Sequence, residues 1–256
     1  MTKTLTILMI SIAVYLIPFG TAQAAKGPPN IRNTVHNLSS SAVDNPHYRS
    51  ANEDEVCIFC HTPHGGSLTG PLWNRNNTTT VYKHYAGANS YVSTLPSTRP
   101  VNNESMLCLS CHDGSITVLS ILNLSNRTVG LPEDDFTNTV GGRPITAGFF
   151  GIGPAGKIGA SVNPDGSIND VSTDLMDDHP ISFEYMSAVG AKPAEFKIDT
   201  AAKAAGVRFF GTNQRVECSS CHDPHVDYET PGNEAWTPFL ITPNDGSNLC
   251  LACHIK

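Results

Sequence analysis

Four times this chain repeats one five-residue phrase: Cys57-Ile58-Phe59-Cys60-His61, Cys108-Leu109-Ser110-Cys111-His112, Cys218-Ser219-Ser220-Cys221-His222 and Cys250-Leu251-Ala252-Cys253-His254. The phrases use all eight cysteines. Cys-x-x-Cys-His is the attachment signature of a c-type haem. Two thiols three residues apart share one face of a helical turn. There they can form thioethers to the two porphyrin vinyl groups, and the next histidine reaches the iron as proximal ligand. Eight cysteines in an exported chain would otherwise suggest four disulfides, and a single Cys-x-x-Cys a zinc or redox site. Neither explains a histidine directly after every second cysteine. The chain is therefore expected to carry four covalently attached haem c groups. Cys57, Cys60, Cys108, Cys111, Cys218, Cys221, Cys250 and Cys253 are the attachment residues; His61, His112, His222 and His254 are the proximal iron ligands.

That cofactor load changes what the composition means. Aromatic residues are only 7% of the chain, and 256 residues include 21 Gly and 18 Pro. Such a chain has little material for long helices or wide sheets. Covalently held porphyrin plates replace much of the missing core, so the haem-free chain is expected to be largely unfolded. The fold class expected is mostly irregular coil with short helices, a multihaem cytochrome c organised around four haems. A formal charge of −7 excludes a nucleic-acid binder, which needs a basic face, and a polybasic membrane anchor.

Residues 1–24 read as a signal peptide. Lys3 gives the positive start, Leu5 to Phe19 is an apolar run, and Ala22-Gln23-Ala24 fits a cleavage site. The run is too short for a typical spanning helix, so no membrane span is expected after cleavage. Export follows, with an extracellular or cell-surface location, or alternatively the periplasm.

The rest of the chain reads as a duplication. The first half holds CIFCHTPH and then LCLSCH; the second holds CSSCHDPH and then LCLACH. This gives two dihaem modules, 25–130 and 171–256, joined by a Gly-rich connecting region, 131–170.

Four six-coordinate irons need four more ligands. His36, His47, His64, His84, His179 and His225 lie outside the motifs. His64 and His225 each stand three residues after a proximal histidine. Residues so spaced point the same way on a helix, whereas the two ligands of one iron lie on opposite porphyrin faces. Each must therefore serve a different haem from its neighbour, or none; where it serves one, two haems are drawn together. In the second half His179, in Asp178-His179-Pro180, is the remaining candidate, with Asp178 or a nearby carbonyl to orient it. In the first half His36, His47 and His84 compete, and His36 holds the position before motif one that His179 holds before motif three. Met106, Met176 and Met186 are alternative axial ligands, displaced by the surplus of histidine.

The phrases HNLS at His36, CIFCHTPH, LCLSCHDG, DHPISF, CSSCHDPH and the terminal LCLACH resemble the extracellular multihaem cytochromes that polymerise into conductive filaments. The resemblance spans the haem-bearing stretches of both halves and not the Gly-rich middle. It implies closely stacked haems, little regular secondary structure, and one distal histidine donated across the subunit boundary. Carried onto this chain, it implies that His36 serves in trans the terminal haem on Cys250, Cys253 and His254. Only Ile255 and Lys256 follow that haem, so a neighbour's arm is expected to cover it. A head-to-tail contact that does not close gives an open homopolymer.

The expected function is electron transfer as a subunit of an extracellular conductive filament, with other redox proteins or extracellular acceptors as partners and no substrate transformed. A monomeric periplasmic shuttle with all ligands in cis is the alternative. A multihaem reductase would need an open coordination position, which the histidine surplus argues against.

Overall fold

The computed structural model describes residues 27–42, 48–50, 53–67, 70, 72–76, 80–85, 91–95, 98–113, 121–123, 136–138, 161–162, 168–169, 174–176 and 178–256. Its regular elements are short. Strands β1 (Tyr48–Ser50), β2 (Tyr82–His84) and β3 (Thr98–Arg99) precede helix α1 (Asn103–His112). Strands β4 (Phe136–Asn138), β5 (Ser161–Val162), β6 (Ile168–Asn169), β7 (Asp174–Leu175) and β8 (Phe183–Glu184) lead to helices α2 (Tyr185–Ala191) and α3 (Asp199–Ala204). Strand β9 (Arg215–Val216) and helix α4 (Asn248–Cys253) complete the order. The predicted signal peptide and most of the Gly-rich connecting region lie outside the described residues. Among the described residues no helix is long and apolar enough to cross a membrane.

The strands pair in small sets: β1 with β4, β5 with β6 and β8 with β9, all antiparallel. Strand β2 is central to the one three-stranded sheet, antiparallel to β3 and parallel to β7. Its side chains alternate as a half-buried strand requires: Tyr82 and His84 are buried and Lys83 is exposed. Tyr82 completes its burial by donating its hydroxyl to Asp113 at 2.6 Å.

Apolar side chains gather in three separate clusters. The largest takes Phe183, Tyr185, Ala188, Val189, Ala202, Val216, Ile241 and Leu249 with Val92 from the first half, and Cys221 and Cys253 pack against it. Helix α2 joins it through Tyr185, Ala188 and Val189, the three- and four-residue spacing of one helical face. A second cluster is Ile58 and Phe59, with Cys60, Cys111, Leu38 and Ile121 around it. A third joins Tyr82, Val101 and Leu109 to Leu175. Each of the first two clusters holds cysteines from two attachment motifs.

The two modules read from the sequence share their packing. The carboxylate of Glu217, 1% exposed, accepts hydrogen bonds from Asn102, Ser105 and Ser182. Ser105 Oγ in turn accepts from the Cys218 amide at 3.0 Å, and the Arg99 guanidinium donates to the Ile181 carbonyl at 2.9 Å. The segment at 27–42 docks on the second half. Asn30 N donates to His225 O, Asp227 N donates to Pro28 O, and Pro29 bridges Val226.

Burial raises the Glu217 carboxyl above its ordinary range, and its three hydrogen bonds only partly offset this. A group bound to its proton more tightly when folded contributes stability at low pH that is lost as pH rises through the raised value. Glu217→Ala strands three donors and should cost about 3 kcal/mol or more. Glu217→Gln should cost less and flatten the pH dependence above the carboxylate range. Thermal melts of the haem-loaded variants across pH check both.

Candidate haem-binding site

Each attachment motif is wound into a single turn. The amide of His61 donates to Cys57 O at 2.7 Å, that of His222 to Cys218 O at 3.0 Å, and that of His254 to Cys250 O at 2.9 Å. His112 is the last residue of α1. A bond from residue i+4 to residue i is one helical turn, which brings both thiols and the following imidazole to one side. All eight cysteines are free of disulfides.

The imidazoles fall into pairs. Two imidazoles on opposite sides of one metal have ring centres about 6.3 Å apart: about 2.0 Å of metal–nitrogen bond and about 1.1 Å of ring radius, from ring bonds of about 1.33 Å, on each side. His61 and His225 have centroids 6.3 Å apart with planes at 13°. His36 and His112 are 6.1 Å apart at 71°, and His179 and His254 are 6.4 Å apart at 75°. Each pair joins one motif histidine to one histidine outside the motifs. Among the described residues no group of three or more His, Cys, Asp or Glu is arranged to hold a bare metal ion. An iron in a porphyrin asks the protein for two ligands, so paired imidazoles fit that group.

Hydrogen bonds show which ring nitrogen is free. His179 Nδ1 contacts Pro180 O at 2.9 Å, His222 Nδ1 contacts Pro238 O at 2.9 Å, and His225 Nδ1 contacts Asp223 Oδ1 at 2.8 Å. A carbonyl or carboxylate at Nδ1 holds the proton there and leaves the Nε2 lone pair for a metal. The carbonyl that orients His179 belongs to the next residue, Pro180, rather than to the Asp178 side chain. His84 shows the opposite arrangement. It is buried in β2 with Nε2 spent on Arg99 O at 2.9 Å, which suits a histidine that closes a sheet. His47 lies outside the described residues.

His36 is set against the Phe239 ring, centroids 4.4 Å apart, as well as against His112. Burial, then the neighbouring His112 and His225, lower its pKa to about 3; its Nδ1 is buried without a hydrogen-bond partner. Within the chain His254 is faced by His179, and His36 faces His112. His64 is exposed, and its carbonyl accepts from Thr62 Oγ1 at 2.9 Å.

Burial is the largest influence on four of the cysteines. It pushes the Cys60 and Cys221 thiols up to about 12 and raises Cys111 and Cys253 as well. Reactive and metal-binding thiols are instead held low, by positive charge or a helix N-terminus. The neighbouring Cys108 and Cys218 thiols perturb each other, raising Cys108 and lowering Cys218. The Cys218 amide, donating to Ser105 Oγ at 3.0 Å, links motif three to the helix of motif two. Cys60 and Cys111 meet in one apolar cluster, as do Cys221 and Cys253 in another. Motif one therefore adjoins two, two adjoins three, and three adjoins four. The pair His61–His225 links one to three again.

Three supporting residues escaped the sequence reading. Arg75 is fully buried beside the Cys60 and Cys111 thiols and donates to Ser110 O at 3.3 Å; no pattern around it marks it. Asp223 and Arg208 form a salt bridge at 3.0 Å, with Asp223 also holding His225. Burial favours the neutral Asp223 carboxyl, but hydrogen bonds from His225 and Arg208 outweigh it and hold the group well below the usual carboxylate range. A signal for Asp223 existed: the phrases CHTPH and CHDPH differ only at Thr62 and Asp223.

No protein-family model and no curated protein sequence matches the chain.

His36→Ala should convert one of four low-spin haems to a high-spin form that binds carbon monoxide. His84→Ala should leave all four low-spin and lower stability instead. Absorbance of the reduced, haem-loaded variants with and without carbon monoxide checks this.

Proposed function

We propose that this chain is a tetrahaem electron-transfer protein in which side chains bind and orient haem c and transform no substrate. The observation that carries the reading is the three imidazole pairs at 6.1–6.4 Å, each joining a motif histidine to a non-motif one. Haems held by these residues would supply one-electron Fe(III)/Fe(II) couples. The polypeptide does the rest. The cysteine pairs tether, the paired imidazoles hold both axial positions, and the clusters around Cys60/Cys111 and Cys221/Cys253 bring neighbouring attachment points together.

The fourth pair follows from the duplication. His61 faces His225, and each belongs to a phrase with histidines three residues apart. By analogy with that pair, the remaining motif histidine, His222, is assigned to His64, although their rings are not in contact among the described residues. Site one then takes His61 and His225, site two His112 and His36, site three His222 and His64, and site four His254 and His179. With both axial positions filled at each iron, none is left for a substrate, which counts against the reductase.

Export to the cell surface and assembly into a conductive filament belong to the same proposal. If His36 serves the His112 haem within its own chain, the head-to-tail contact uses other surface; if it serves the terminal haem of a neighbour, the contact runs through its ring. The closeness of His36 to His112 within one chain is the observation that supports the second reading, a self-contained periplasmic shuttle. Electron microscopy of the purified, haem-loaded mature protein separates the two. Filaments with continuous haem density are expected for the conductor; compact particles at every salt and protein concentration overturn the filament in favour of the shuttle. In either case His64→Ala should open site three to carbon monoxide.

A further inference from the structure

The repeated phrases are equivalent except at one position, and there the structure makes them unequal. In the first, Thr62 donates to the His64 carbonyl at 2.9 Å, and no contact to the His64 ring accompanies it among the hydrogen bonds of the described residues. In the second, Asp223 Oδ1 accepts from both the backbone amide of His225 at 3.0 Å and its Nδ1 at 2.8 Å. The other carboxylate oxygen takes the Arg208 guanidinium at 3.0 Å. Three other ring nitrogens, Nδ1 of His179 and of His222 and Nε2 of His84, meet neutral backbone carbonyls. His225 is a ligand candidate whose ring is hydrogen-bonded to a carboxylate.

We propose that Asp223 is a positioning residue that gives site one a lower reduction potential than its neutral partners would, with Arg208 moderating the effect. A carboxylate at Nδ1 draws the imidazole toward imidazolate character and raises its basicity. A more basic axial ligand favours Fe(III) over Fe(II), so the potential falls; hydrogen bonding of this kind is one of the protein's levers on haem. Arg208 competes for the same carboxylate and adds positive charge nearby, which pushes the opposite way. Asp223 is buried and Arg208 is partly covered, so the pair is screened less than surface charges are. The inference rests on His61 and His225 sharing one iron, as proposed above. Its functional meaning is directional: two halves that share the same attachment phrases acquire unequal haems, giving electrons an energetic slope along the path.

The test uses the haem-loaded protein and its Asp223→Asn and Arg208→Gln variants, titrated potentiometrically and followed by electron paramagnetic resonance. Near-parallel imidazoles, as in His61 and His225 at 13°, give a rhombic low-spin signal that is distinguishable from those of near-perpendicular pairs. Asp223→Asn should shift that haem's equilibrium about threefold toward Fe(II), about 30 mV upward at ~59 mV per decade for one electron, and alter its g-value spread. Arg208→Gln should move the same haem downward, with the other three unchanged. Shifts of the same sign in both variants, or none in either, overturn the proposal, because a merely structural pair fails in one direction. If one variant does not fold, the sign of the other's shift decides. Absence of a rhombic low-spin signal from the unaltered protein would instead overturn the ligand pairing on which it rests.

Discussion

A hydrogen bond from the histidine amide back to the first cysteine's carbonyl closes each of motifs one, three and four into one turn. That bond decides where the tether points and where the imidazole points, together and locally. The remaining requirement is non-local: a second imidazole must arrive opposite the first, about 6.3 Å away between ring centres. Every longer-range feature of the described chain serves that arrival. The segment at 27–42 lies on Val226, His225 and Asp227 and so delivers His36 beside His112. The turn from Cys218 to His225 delivers His225 beside His61, and the loop before β8 delivers His179 beside His254.

This explains why the chain tolerates so little regular structure. A fold held by its own core needs one contiguous apolar cluster, and here there are three, with cysteines on the borders of two of them. The polar hub at Glu217 supplies the connection that apolar packing does not, joining Asn102, Ser105 and Ser182 across the two halves. Such a hub is costly when only partly satisfied, and its donors come from two stretches of chain, the start of α1 and the residue before β8. The same economy appears at the ligands, where backbone carbonyls of Pro180 and Pro238 fix ring tautomers without spending a side chain.

Much of the site was legible because its chemistry is local. Four motifs with no spare cysteine mark the proposed attachment points, and the three-residue spacing of His61/His64 and His222/His225 means that neither pair can share one iron. The chance that a nearby carbonyl would hold His179 was also readable from its neighbours. The partnerships were not. His36 and His112, or His61 and His225, are far apart in the chain, and nothing in either local phrase encodes the other. Asp223 was visible as a one-letter difference between CHTPH and CHDPH, yet its contact with His225 emerges only from backbone geometry. The duplication marked two modules in sequence, while the Leu175 contact with Tyr82 and Leu109 and the Glu217 hub belong to both.

The central claim is the pairing of imidazoles, and a density map of the haem-loaded protein that resolves its axial ligands tests it most directly. The account predicts one iron between His61 and His225, one between His36 and His112, and one between His179 and His254 of the same chain. Any of these irons bound instead by His84, by a methionine or by a single histidine contradicts it.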